Sequence, residues 1–200
     1  MKRNVSFALV VGLASVLSGC APASSFFSLF NDKDKEFDER LLGEWRIQSG
    51  VAFKAEEESA RIVFRRSEDG FDYEVTLFDF DSKGLNLDCT GRLTRLGNRL
   101  FIDFGTPDTD KRKFTEFPFP IIESHIFGPI HIDKTSVRID FLNDEWVKKQ
   151  SETDKLSLAT VKTRDGLVIS ASTEELRKFA QDHAEDLDAF SEPYSLVRAK

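Results

Sequence analysis

The sequence predicts a mainly β fold, an up-and-down antiparallel β-barrel of about eight strands with one helix near the C-terminus. Three observations carry this expectation. Apolar and polar residues alternate with a period of two in successive short runs between residues 60 and 142. Tight-turn pairs separate runs of this kind: Asp69-Gly70, Gly97-Asn98 and Asp165-Gly166. One late stretch, 172–187, switches to helical spacing behind a capping signal. A meander of such strands would leave two bare edges, and closing it into a barrel removes them.

The chain opens with Lys2 and Arg3, followed by an apolar run from Val5 to Leu17. That run is shorter than the ~20 residues a helix needs to cross a bilayer. A cationic start, a short apolar middle and small residues before a cut point describe a secretory signal peptide over residues 1–19. Leu17-Ser18-Gly19-Cys20 resembles the lipobox of bacterial lipoproteins. The resemblance implies that Cys20 is alkylated by a diacylglycerol, becomes the first mature residue and is usually acylated on its new amino group. One acyl chain binds a membrane marginally, whereas two or three, at ~0.8 kcal/mol per buried methylene, hold a protein durably. Ala21 follows in place of Asp. This resembles the outer-membrane sorting pattern of enteric-type bacteria and implies an outer-membrane protein facing the periplasm.

Residues 20–36 are expected to form a lipidated N-terminus and tether, with the domain spanning 37–200. Phe26, Phe27, Leu29 and Phe30 allow two readings, packing on the domain or dipping into the lipid interface. After Phe37, a short helical turn is expected through Asp38 to Leu42, leading into Gly43-Glu44-Trp45. Strands follow over Ala60–Arg66 and Phe71–Leu77, with Phe71, Tyr73, Val75 and Leu77 on one face. A strand carrying Leu85, Leu87 and Cys89 runs on to Leu96, and Leu100, Ile102 and Phe104 alternate with Phe101 and Asp103. Residues 105–120 read as a polar loop ending in Phe117-Pro118-Phe119-Pro120. The next strand, Ile121–Ile132, is expected to break at Gly128-Pro129. Thr135–Leu142 points Val137, Ile139 and Phe141 inward, and Leu156–Lys162 with Leu167–Ser170 form a hairpin. Ser172 and Glu175 form a capping box for a helix whose one face carries Leu176, Phe179, Ala180, His183 and Leu187. Tyr194–Arg198 is the last strand.

Gly43-x-Trp45 at the start of the first strand, behind a helical turn, resembles the Gly-x-Trp signature of lipocalins and related calycins. The resemblance implies an eight-stranded barrel closed at one end by Trp45, with a late Arg packed across its ring. Arg198 is the best-placed partner, for a cation–π contact of ~1 kcal/mol. The helix departs from the family pattern by preceding the last strand, which leaves the register of the final strands open.

Removing residues 1–19 takes away Lys2 and Arg3 and moves the net charge from −7 to −9. An acidic chain argues against nucleic acid and against electrostatic docking on anionic lipid. Membrane attachment is therefore expected through the lipid on Cys20. Once Cys20 carries lipid, Cys89 stands alone and no intrachain disulfide is available; a lone strand Cys reads as a small buried hydrophobe. No metal or cofactor site is expected. His125 and His131 lie in one extended segment near Glu123 and Asp133, but without close ligand spacing, and His183 reads as interfacial. No Gly-x-Ser-x-Gly elbow, Ser-x-x-Lys pattern or Gly-rich phosphate loop occurs, so no enzyme is expected.

Nineteen Phe residues suit a packed core or an aromatic-lined cavity equally. Ala52–Arg61 and Phe117–Pro120 read as lids over a barrel mouth or as ordinary packed loops. Two functions follow. The first is a barrel binding an apolar small molecule or lipid; the alternative is a solid barrel serving as an envelope protein-interaction or assembly module. A continuous apolar cavity of ~300 Å³ or more decides for the first.

Overall fold

The computed structural model describes residues 22–49, 60–78, 86–106, 123–164, 166–190 and 193–199. Residues 1–19, Cys20, and the lid candidates 52–59 and 117–120 lie outside these. In chain order come β1 (Ser24–Ser25), β2 (Lys35–Glu36), β3 (Gly43–Ser49), β4 (Arg61–Arg66), β5 (Tyr73–Phe78) and β6 (Leu87–Leu96). There follow β7 (Arg99–Gly105), β8 (His125–Ile132), β9 (Ser136–Ile139), α1 (Asp144–Glu152), β10 (Thr160–Lys162), β11 (Leu167–Ile169), α2 (Thr173–Asp182) and β12 (Tyr194–Arg198).

Strands β3 to β9 pair antiparallel, each with the next, and β12 closes the circle between β9 and β3. The result is the expected closed, eight-stranded, up-and-down barrel. Alternation does the sorting. Trp45, Ile62, Phe64, Tyr73, Val75, Leu93, Ile102, Ile130 and Val137 face inward, while Arg46, Arg65, Glu74 and Arg138 face water. A membrane-spanning barrel has the opposite pattern, apolar outside and polar inside.

Between β9 and β12 the chain leaves the barrel and builds an outer layer of α1, the β10–β11 hairpin and α2. This layer covers the outer face of β6, β7 and β8 and encloses a second core containing Leu96, Phe101, Phe127, Val147, Ile169, Leu176 and Phe179. Phe101 and Phe127 are apolar at outward positions because that face of the barrel is covered. Helix α2 has the expected capping box: Ser172 accepts from the Glu175 amide, and the Glu175 carboxylate accepts from the Ser172 amide.

Several expectations need correction. A second helix, α1, is present, capped by the Asn143 side chain accepting from the Trp146 amide at 3.0 Å. It is short and mostly polar, with Val147 as its fully buried residue, so its periodicity was too weak to read. Phe71 precedes β5 and is 52 % exposed, because the turn from Ser67 continues to Asp72. Leu187 lies beyond the end of α2 and is 81 % exposed. The run from Leu156 is strand only from Thr160.

Strand β8 starts at His125 and does not break at Gly128-Pro129. Pro129 sits at an outward position paired with Phe101, and its carbonyl accepts from the Asp140 amide. Gly128 is required by close approach, since a Cβ there would lie 1.8 Å from the Asp140 carbonyl oxygen.

The expected tether over 20–36 is, from Pro22 onward, part of the domain. Pro22 bridges to Asn143, and the Ala23 amide donates to the Leu142 carbonyl at 2.7 Å. Strand β1 adds parallel to β11 and meets β8 at His125, while β2 pairs with β6. Ala23 and fully buried Leu29 fill the second core, which answers the open question for part of the aromatic stretch: Leu29 packs inside, Phe30 lies under Lys35 and Arg92, and Phe27 is exposed.

Candidate functional site

The barrel has two unlike ends. At one end the 3-10 turn Glu39–Leu41, capped by Asp38, lies across the opening and places Leu41 in the core. The Trp45 indole N–H donates to the Leu41 carbonyl at 2.8 Å. Arg198 stands directly opposite Trp45 in the β12–β3 register, with its guanidinium carbon 3.9 Å from the ring centroid. The same guanidinium donates to the carbonyls of Leu42 at 2.5 Å and Arg40 at 2.6 Å, so it binds the turn as well as the ring.

Gly43 has φ +111°, a conformation that L side chains rarely adopt, and a Cβ there would lie 2.9 Å from the Arg198 guanidinium. Gly43, Trp45 and Arg198 are thus brought together as one plug. Phe37 stacks on Tyr73 beside it, with ring centroids 4.7 Å apart. The Tyr73 hydroxyl accepts from the Asp38 amide at 2.8 Å, and burial pushes its pKa up to about 12.

The opposite end is hollow. An apolar cavity of about 310 Å³ lies between Ile47, Ile62, Leu77, Phe104, Ile126 and Phe141. Its remaining wall is built from strand ends at this side of the barrel, Leu87 of β6, Gly105 of β7, Ile139 of β9 and Tyr194 of β12. A relay of aromatic rings forms the floor: Phe64 to Phe104 at 6.2 Å, Phe104 to Phe141 at 5.9 Å, and Phe141 to Tyr194 at 5.2 Å. The abundant Phe residues therefore serve both as packed core and as cavity wall.

At the mouth Thr106 and Ser124 join the lining, and Asp88 borders it from an outward strand position opposite Thr76. Asp88 accepts a hydrogen bond from the Thr76 hydroxyl at 2.9 Å. Among the described residues, the Thr106 hydroxyl is a buried side-chain oxygen with no hydrogen-bond partner. A buried hydroxyl without a partner costs about 1–3 kcal/mol, which a polar group on a ligand would recover. Cys89, expected as a buried hydrophobe, is partly buried and lines the cavity; burial and the Asp88 charge push its thiol up to about 12. It is therefore a neutral thiol, chemically part of an apolar wall.

The other candidates are structural. His125 and His131 point to the same outer side of β8 but are separate in function. His131 is exposed beside Asp133 at 3.5 Å, whereas His125 is buried and its Nδ1 donates to Asp103 at 2.8 Å. Asp103 is 1 % exposed and also accepts from the Ser28 hydroxyl at 2.7 Å and the Leu29 amide at 2.5 Å. Ser28 is bonded to the carboxylate and not to the imidazole, so the trio is no nucleophile–base pair. It pins the N-terminal segment to the barrel wall. His183 caps α2 and packs against Phe179, with ring centroids 4.5 Å apart.

Sequence reasoning missed Asp103, because a polar residue at an outward strand position reads as solvated. Apolar Phe101, on the same outward face, was the available signal that this face is covered. Compared with known proteins, the chain matches no family model, no curated protein and no solved structure, so the functional reading rests on the barrel and its cavity.

Proposed function

We propose that this protein is a lipid-anchored envelope protein that binds an apolar small molecule or a single hydrocarbon chain in its barrel. The anchor is the lipid on Cys20, holding the domain at the outer membrane on the periplasmic side. The observation that carries the ligand reading is the apolar cavity of about 310 Å³ at one barrel end. Ligand pockets span about 300–1,000 Å³, so this one suits a slender ligand over a bulky one. A barrel serving only as an interaction module needs no such space, and small barrels are readily filled by their own side chains.

The anchor rests on Leu17-Ser18-Gly19-Cys20 behind the short apolar run. Among the described residues, no helix is long and apolar enough to cross a membrane. The Gly43–Trp45–Arg198 plug supports kinship with lipocalin-like barrels. At the mouth, the unpartnered Thr106 hydroxyl favours a head group that can hydrogen-bond to it.

The test is titration of the mature protein with an uncharged apolar fluorophore such as N-phenyl-1-naphthylamine. Saturable one-site binding is expected, and a Leu77→Trp, Ile126→Trp double variant should abolish it while the fold is retained. Binding that does not saturate, or that the filled variant keeps unchanged, would overturn the reading. The intact mass of membrane-extracted protein checks the anchor separately, as an acyl addition on Cys20.

A further inference from the structure

We infer that the hollow end of the barrel faces the anchoring bilayer, so that its ligand is a hydrocarbon chain of a membrane lipid entering without crossing bulk water. The inference rests on the lipid anchor proposed above. Its own observation is Pro22, which is part of the cavity wall. Pro22 is also fixed in place: it bridges to Asn143, its neighbour Ala23 donates to Leu142, and Ser24–Ser25 lie in the sheet. In sequence a single residue, Ala21, lies between Cys20 and this fixed point. Two residue steps span at most ~7 Å.

The anchor therefore does not tether the domain at arm's length. It holds one end of the barrel against the head-group layer. The plugged end lies a barrel height away, roughly 20 Å for strands of this length, and points into the periplasm. Leu87, which belongs to the cavity wall and is 40 % exposed, presents an apolar rim toward that surface. A lipid chain that passes from bilayer to cavity crosses the head-group layer but not bulk water, which lowers the solvation cost of leaving the membrane.

The experiment uses the mature, acylated chain in phosphatidylcholine vesicles containing head-group nitroxide lipids. A fluorophore is placed at Gln48→Cys, exposed near the mouth end of β3, or at Asn98→Cys in the turn at the plugged end, each with Cys89→Ser. Quenching is expected to be several-fold stronger at position 48 than at 98. A spacer of about ten Gly/Ser residues between Ala21 and Pro22, ~17 Å in r.m.s. length, should equalise the two. Fluorophore binding by the spacer variant in detergent should be unchanged. Equal or reversed quenching in the acylated, unextended protein overturns the orientation while leaving cavity binding standing. An intact mass lacking the acyl addition overturns the anchor and the orientation together.

Discussion

The plugged and hollow ends of the barrel are made by the same strands and the same alternation, yet the described residues are packed in opposite ways at the two ends. At the plugged end each large group has a specific partner: Trp45 has Leu41 and Arg198, Tyr73 has Phe37 and Asp38, and Arg198 has two carbonyls. At the hollow end Ile47, Leu77 and Ile126 face a cavity. The closed barrel thus keeps a cavity by concentrating its cross-barrel packing at one end. The comparison predicts that stability belongs to one end and ligand affinity to the other.

The largest effect should come from Trp45→Ala. Emptying a fully buried Trp site costs about 3–5 kcal/mol, and here it also strips Arg198 of its ring. Urea denaturation should show the loss as a lowered midpoint with an unchanged slope. The variant's affinity for an apolar fluorophore, measured below the transition, should stay within a few-fold of wild type. A large affinity loss with little destabilisation would reverse the assignment of the two ends.

Asp103→Ala comes next, at about 3 kcal/mol, because it leaves His125, the Ser28 hydroxyl and the Leu29 amide facing a buried gap. Its effect should concentrate on the N-terminal segment, with amide exchange at Ser25, Phe26 and Leu29 accelerating more than in β4 or β5. Uniform acceleration would mean the trio stabilises the whole barrel instead of docking the segment.

Leu77→Ala tests the hollow end. The side chain borders an existing cavity and is only partly buried, so its loss should fall below the about 2–5 kcal/mol typical of a packed Leu and lie near 1 kcal/mol. Fluorophore affinity should nonetheless change several-fold. A full core-type destabilisation would show that the cavity collapses in solution.

How much of this was legible in the sequence follows the same division. The barrel was readable because Tyr73, Val75 and Leu77 sit on a half-covered sheet whose period of two is set by the strand itself. The plug was readable as residues, since a Gly before an inward Trp has a strong local reason: positive φ at Gly43 and room for Arg198. The outer layer was not. Its signals are split between residues far apart in sequence, with Leu29 under α2 and Asp103 under Ser28. Burial on the outer face of β7 depends on what lands there, which no local pattern encodes. For the same reason the N-terminal segment, polar from Asn31 to Lys35, read as a tether although it is stitched to the domain by backbone pairing at β1 and β2. The cavity was invisible as well, because a Phe that fills and a Phe that lines have the same pattern.

The smallest predicted effect is a pH dependence that separates the two ends by their titrating groups. Burial raises both the Cys89 thiol at the hollow end and the Tyr73 phenol at the plugged end to about 12. Each group ionises more readily in the unfolded chain, near 9 for the thiol and near 10 for the phenol. Above pH 9 the unfolded state therefore holds fewer protons than the folded one, and stability must fall as pH rises from about 9 toward 12. The thiol's share begins at the lower pH. Cys89→Ser should remove the part of the decline that starts near pH 9, and Tyr73→Phe the part that starts near pH 10, measured as melting temperature against pH. A bound apolar ligand should carry the Cys89 share to higher pH by further drying its wall, and leave the Tyr73 share unchanged. Equal sensitivity of both shares to ligand would mean that the floor of aromatic rings transmits cavity occupancy to the plug, and that the two ends are coupled.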